Sequence, residues 1–142
     1  MLQTETIEEL ISIDSTDDQR MLDLVKITRE GIKFNTFYHI AMKGPFDMHD
    51  WSSFLHLSER TFQRYKKEKK TFSSLHTEKI LMITILYMKG IEIFGEKNNF
   101  NSWLDNKNVA LGGIKPRELL DSSFGIQLIK DELTRIEHGV LA

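Results

Sequence analysis

Apolar residues along most of this chain recur at steps of three and four, the spacing that lines one face of an α-helix. Sustained alternation and Asn-Gly or Asp-Gly hairpin signals are absent. Residues 19–30 form the first such block, with Met21, Leu22, Val25 and Ile27 to bury and Gly31 placed to end the helix. A second helix is predicted over Lys33–Met42, burying Phe34, Phe37, Ile40 and Ala41, and Gly44-Pro45 breaks it. Asp47 then caps a short helix, Met48–Leu55, with Trp51, Phe54 and Leu55 inward. Ser58 caps another, Glu59–Lys67, and only His56-Leu57 separates the two. Two short helices so tightly joined read as a helix-turn-helix. Before all of these, residues 1–17 are polar and acidic and are expected to be an arm or a short strand.

Thr71–Ser74 reads as a connector into the longest helix, Leu75–Gly95, whose apolar residues cover most of its circumference. A helix apolar all round is a buried one, so it is expected to join both halves of the molecule. Beyond it, a helix near Asn99–Asn106 presents Phe100, Trp103 and Leu104. Gly112-Gly113 make a tight turn, and Pro116 opens a short helix, Pro116–Asp121. The last helix, Phe124–His138, carries Ile126, Ile129, Leu133, Ile136 and Val140 in a single stripe, read as core, with Gly139 to stop it. The expected fold class is all-α. It divides into an arm (1–18), a helix-turn-helix domain (19–76), a central connecting helix (77–95) and a C-terminal helical domain (96–142).

Composition narrows the function classes. With 142 residues, 40% apolar and 28% charged, the chain can build one domain or two small ones that share a core. It has no cysteine, which removes thiolate catalysis, disulfides and cysteine-ligated zinc. Ile80–Met88, the longest apolar run, is about half of what a bilayer span requires. No basic segment followed by an apolar run opens the chain, so a cytoplasmic protein without a signal peptide is expected. Net charge is −2, so any nucleic-acid binding has to come from a local patch. The acids Glu5, Glu8, Glu9, Asp14, Asp17, Asp18, Asp23 and Glu30 crowd the first thirty residues and leave the remainder slightly basic.

That patch is the segment LSERTFQRYKKEKK, Leu57–Lys70. On a helix starting at Glu59, Arg60, Gln63, Arg64 and Lys67 share one broad face while Phe62 and Tyr65 anchor the other. Arg and Gln are the side chains that bridge base edges bidentately in the major groove. Ser58, Thr61 and the helix N-terminus suit phosphates, and Lys66, Lys67, Lys69 and Lys70 add positive field. A solvated cationic face is the plainer account of a Lys/Arg run, and the tight join before it tips the reading to DNA. Such binding would be salt-dependent, since six to ten phosphate contacts cost about a thousandfold or more between 50 and 200 mM salt.

Catalytic and metal chemistry find little support. His39, His49, His56, His76 and His138 fall in no metal-ligand spacing. His49-Asp50 lacks a nucleophile context, and Gly112-Gly113 alone is a weak phosphate signal. No cofactor and no enzymatic activity are expected. Met42, Met48, Met82 and Met88 read as packing residues.

The C-terminal run holds Trp103-Leu104, Asn108, Ala110-Leu111-Gly112-Gly113, Pro116, Leu119-Leu120, Gly125 and Arg135-Ile136-Glu137-His138-Gly139-Val140. It closely resembles the toxin-binding domain of the Xre/MbcA/ParS antitoxins. The LSERTFQRY helix is similar to the same family's LS-x-RT-x-QR helix, and the resemblance covers about residues 30–142. It implies an antitoxin partnered with a RES-domain toxin that consumes NAD, neutralising it by covering its active-site entrance. It also implies a homodimer, formed through the N-terminal domain, that represses its own operon. Carried onto this chain, Ser58, Arg60, Thr61, Gln63, Arg64, Lys66 and Lys67 would meet operator DNA. Lys107, Asn108, Gly112, Gly113, Glu137, His138, Gly139 and Val140, with Leu141-Ala142, would meet the toxin. The chain departs from the family where Val109 stands in place of a common basic residue and where the lysine-rich tail after Tyr65 runs long. The alternative from another class is a stand-alone helix-turn-helix repressor whose C-terminal domain only dimerises.

Overall fold

The computed structural model describes residues 4–12 and 18–139, which hold eight α-helices and two 3-10 turns. The helices are α1 (Thr4–Ser12), α2 (Asp18–Glu30), α3 (Phe34–Ala41), α4 (Met48–Leu55), α5 (Glu59–Glu68), α6 (Ser74–Phe94), α7 (Lys97–Asp105) and α8 (Ser123–Glu137). The turns, Val109–Leu111 and Pro116–Leu119, lie between α7 and α8. The architecture is all-α, and none of the described helices is long and apolar enough to cross a membrane.

Short polar side chains set the helix boundaries. Asp47 and Asp50 form a reciprocal capping box on α4, with Asp50 N donating to Asp47 Oδ1 at 2.8 Å and Asp47 N to Asp50 Oδ2 at 3.1 Å. Ser58, Ser73 and Ser122 cap α5, α6 and α8 from one side only, each accepting an orphan N–H of the first turn. Gly31 sits at φ +80° beneath the Phe72 carbonyl, where an added Cβ would come within 2.4 Å of that oxygen.

The core of the first half is aromatic. Phe37 packs edge-on against Trp51 and Phe72, and Phe34 and Phe62 close the cluster. Phe46 and Phe54 extend it toward Tyr87 on α6, whose hydroxyl donates to the Ile40 carbonyl at 2.7 Å. A second aromatic stack, Phe94, Phe100 and Trp103, fastens α7 to the end of α6. α6 packs against α1, α2, α3 and α4 in the first half and against α7 and α8 in the second.

Two expectations are corrected. Residues 4–12 are a helix rather than an arm or strand: Ile7, Leu10 and Ile11 are buried, and α1 packs on α3 and α6. The remainder of the expected arm, 1–3 and 13–17, lies outside the described residues. On α2 only Ile27 of the four residues expected inside is buried. Met21, Leu22 and Val25 are 48%, 62% and 41% exposed. Their place inside is taken by Arg20, whose Nε donates to the Leu10 carbonyl at 3.0 Å and so ties α2 to α1.

Candidate functional site

Two surfaces carry the candidate residues. On α5, Phe62 is buried against Phe34, Phe37 and Phe72, and this fixes the rotation of the helix. Arg60, Gln63, Arg64 and Lys67 are thereby placed together on the exposed face. Ser58 Oγ accepts from Thr61 N at 3.0 Å and lies 2.9 Å from Thr61 Oγ1, so both hydroxyls serve the cap. Lys66 turns away from that face, its Nζ 5.5 Å from the Tyr38 ring centroid. The helix ends at Glu68, because Lys69 adopts the left-handed conformation at φ 53°. Lys70 N then donates to the Tyr65 carbonyl, and the Lys70 carbonyl accepts from Phe34 N. The long lysine tail therefore folds back on the domain and does not lengthen the helix.

The second surface follows α7. The loop from Asn106 to Gly113 closes on itself: Asn108 N donates to the Ile114 carbonyl at 3.1 Å, and Gly113 N donates to the Asn108 carbonyl at 2.8 Å. Gly112 and Gly113 both sit at φ +76°, where a side chain would be strained. Asn108 Oδ1 accepts from Ala110 N at 2.9 Å, so this side chain shapes the loop. Lys107 is exposed, and Val109 is 94% exposed at the tip. At the end of α8, Glu137 pairs with Lys89 of α6 at 3.0 Å, His138 forms the exposed C-cap, and Gly139 turns at φ +71°. Val140, Leu141 and Ala142 lie outside the described residues. The loop and the α8 terminus are thus two groups held by different contacts.

One residue that sequence reasoning missed links α4 to α7. Arg117, only 17% exposed, meets Asp50 on α4 at 3.0 Å and Asp105 on α7 at 2.7 Å. It also donates to the Pro45 carbonyl and to Asn101, and lies 5.4 Å from the Phe46 ring centroid. Burial holds the Asp50 carboxyl above its ordinary range, against the opposing pull of the Asp47 amide and Arg117. Nearby, Lys79 Nζ donates to the carbonyls of Asp121 and Phe54, and burial lowers its pKa while Asp121 opposes the shift.

With this geometry in view, two family models match the chain. Residues 23–83 match the antitoxin Xre-like helix-turn-helix domain. Residues 89–139 match the antitoxin Xre/MbcA/ParS C-terminal toxin-binding domain. No curated protein matches it. Both matched segments take in part of α6, and between them they reach from within α2 to the end of α8.

Proposed function

The chain belongs to the antitoxins of the Xre/MbcA/ParS type, and from that premise we propose that it neutralises a RES-domain, NAD-consuming toxin by occluding the toxin's active site while α5 binds the operator of its own operon. The carrying observation is that the matched toxin-binding segment contains a self-closed loop, Asn106–Gly113, with Val109 94% exposed at its tip. A preformed surface loses little conformational freedom on binding, which favours tight association by an adaptor that does no chemistry. An interface of about 1,600 Å² is standard for such a complex. Lys107, Gly112, Gly113, His138 and Gly139 are the residues we assign to the toxin. Asn108 and Glu137 support them, from the loop cap and the Lys89 pair. The exposed face of Arg60, Gln63, Arg64 and Lys67 supports the DNA assignment, with Ser58, Thr61 and the α5 N-terminus on phosphate.

The exposed stripe Met21, Leu22 and Val25 favours dimerisation through the N-terminal half, which argues against a repressor that pairs only through its C-terminal domain. The test is co-expression with a RES-domain toxin encoded beside it. Rescue of growth, co-purification of the pair and preserved cellular NAD are expected. A toxin that turns over NAD at full rate with this chain in excess would overturn the reading. Deleting 96–142 would uncover the faces of α6 that α7 and α8 cover, so Gly112→Asp in the loop is the cleaner loss-of-neutralisation variant.

A further inference from the structure

We infer that the segment Arg117–Asp121 is a clasp that makes toxin occupancy and operator affinity interdependent, with Arg117 as its positioning residue; this rests on the reading of the 106–113 loop as the toxin contact. The segment grips α4, the first helix of the helix-turn-helix, at both of its ends. At the N-terminal end Arg117 Nη1 donates to Asp50 Oδ2 at 3.0 Å, the same oxygen that accepts the Asp47 amide in the capping box. At the C-terminal end His56, the left-handed C-cap of α4, donates from Nε2 to the Asp121 carbonyl at 2.9 Å. Lys79 Nζ bridges that carbonyl and the Phe54 carbonyl at 2.7 and 3.1 Å.

The same segment holds the other surface. Arg117 Nε and Nη2 reach Asp105 Oδ1 and Oδ2 at 2.7 and 3.3 Å, and Asp105 is the last residue of α7, directly before the loop. Nη2 also donates to Asn101. A guanidinium has five N–H donors in a fixed fork. Here they are spent on Asp50, Pro45, Asn101 and both Asp105 oxygens, so no shift of α7 relative to α4 leaves the set intact. From α4 the constraint passes to α5 through the two-residue join, where Leu57 N donates to the Ser52 carbonyl at 3.0 Å.

A contiguous path of contacts is not itself a coupling, so the experiment measures the coupling. Full-length protein is titrated onto DNA from immediately upstream of its own gene, with and without saturating RES-domain toxin. The ratio of the two dissociation constants is compared among wild type, Arg117→Ala, Arg117→Lys and His56→Ala. Linkage requires that the same factor appear in toxin affinity with and without DNA. In the wild type a factor of about five or more is expected, the lower bound of ordinary allosteric coupling. Arg117→Ala and His56→Ala should bring it close to one, with each separate affinity changed less than about threefold, and Arg117→Lys should not restore it. His56 is exposed, so His56→Ala carries the test should Arg117→Ala fail to fold. A wild-type ratio of one with both ligands bound, or wild-type coupling retained in the variants, would overturn the clasp alone. Absence of toxin binding by the wild type would overturn the clasp together with the functional reading.

Discussion

Arg64 stands on the open face of α5, its guanidinium 5.9 Å from the Tyr65 ring centroid. Replacing it with Ala is expected to weaken operator binding about 5- to 150-fold, the worth of one bidentate base contact, and to leave toxin affinity unchanged. Parallel gel-shift and toxin titrations check this, and a matching loss of toxin affinity would count against separate surfaces. His76, in the first turn of α6, has a buried Nδ1 without a hydrogen-bond partner among the described residues. Burial lowers its pKa, the nearby Lys79 and His56 charges lower it further, and a hydrogen bond with Leu55 opposes them. The folded state thus binds a proton less readily than the unfolded chain, so protonation favours unfolding. Stability contributed by neutral His76 is present above its unfolded value near 6.5 and is lost as pH falls toward the lower folded value. His76→Leu should flatten that acid-side loss in urea melts at pH 7 and pH 5; an unchanged slope would exclude His76 as its source. The capping residues were legible in sequence because a cap acts within three residues. Arg117 was not, since it lies 67 and 72 positions from Asp50 and Pro45, and nothing local marks such a residue.

Elements with a full apolar stripe were readable from periodicity: α3, α4, α6 and α8 lie close to where it puts them, and α5 was readable from its Ser58 cap. α1 was not, because Ile7, Leu10 and Ile11 are a three-residue stripe on a short, acidic segment that is too weak to hold a helix without α6 to cover it. α2 shows the reverse, since Met21, Leu22 and Val25 fit an inward stripe while the buried side is filled by Ile27 and Arg20. Periodicity reports that a face is apolar and does not say what it faces. Gly125 in the first turn of α8 was legible only as part of a resemblance; its physical cause is the Leu119 carbonyl oxygen, 1.7 Å from where a Cβ would stand. Gly125→Ala is expected to cost about 3 kcal/mol, the upper part of the overpacking range, and to lower both binding activities through lost fold. Gly112→Ala meets no neighbour and strains only its left-handed φ, at about 1–2 kcal/mol. Urea unfolding of the two variants checks the order, and equal losses would remove the steric account of Gly125.

At the scale of the molecule, the exposed apolar residues of α2 give a test of assembly. Leu22→Asp should leave the monomer fold intact, because Leu22 is 62% exposed. On the proposed dimer it should also shift sedimentation to the monomer and weaken binding to a two-fold operator. A dimer that survives the change would place the seam elsewhere. The division into a helix-turn-helix half and a toxin-binding half was legible, the first from its tight helix join and basic helix and the second from its resemblance to the family. Their mutual hold was not, because it is made of contacts distant in sequence.

α6 supplies one wall to each half, so a cut that melts it removes a wall from both. Such digestion, on the proposed reading, strips the partner of its cover and the promoter of its occupant in a single event. On the proposed reading, the cell therefore cannot free the captive enzyme without also reopening synthesis of its captor.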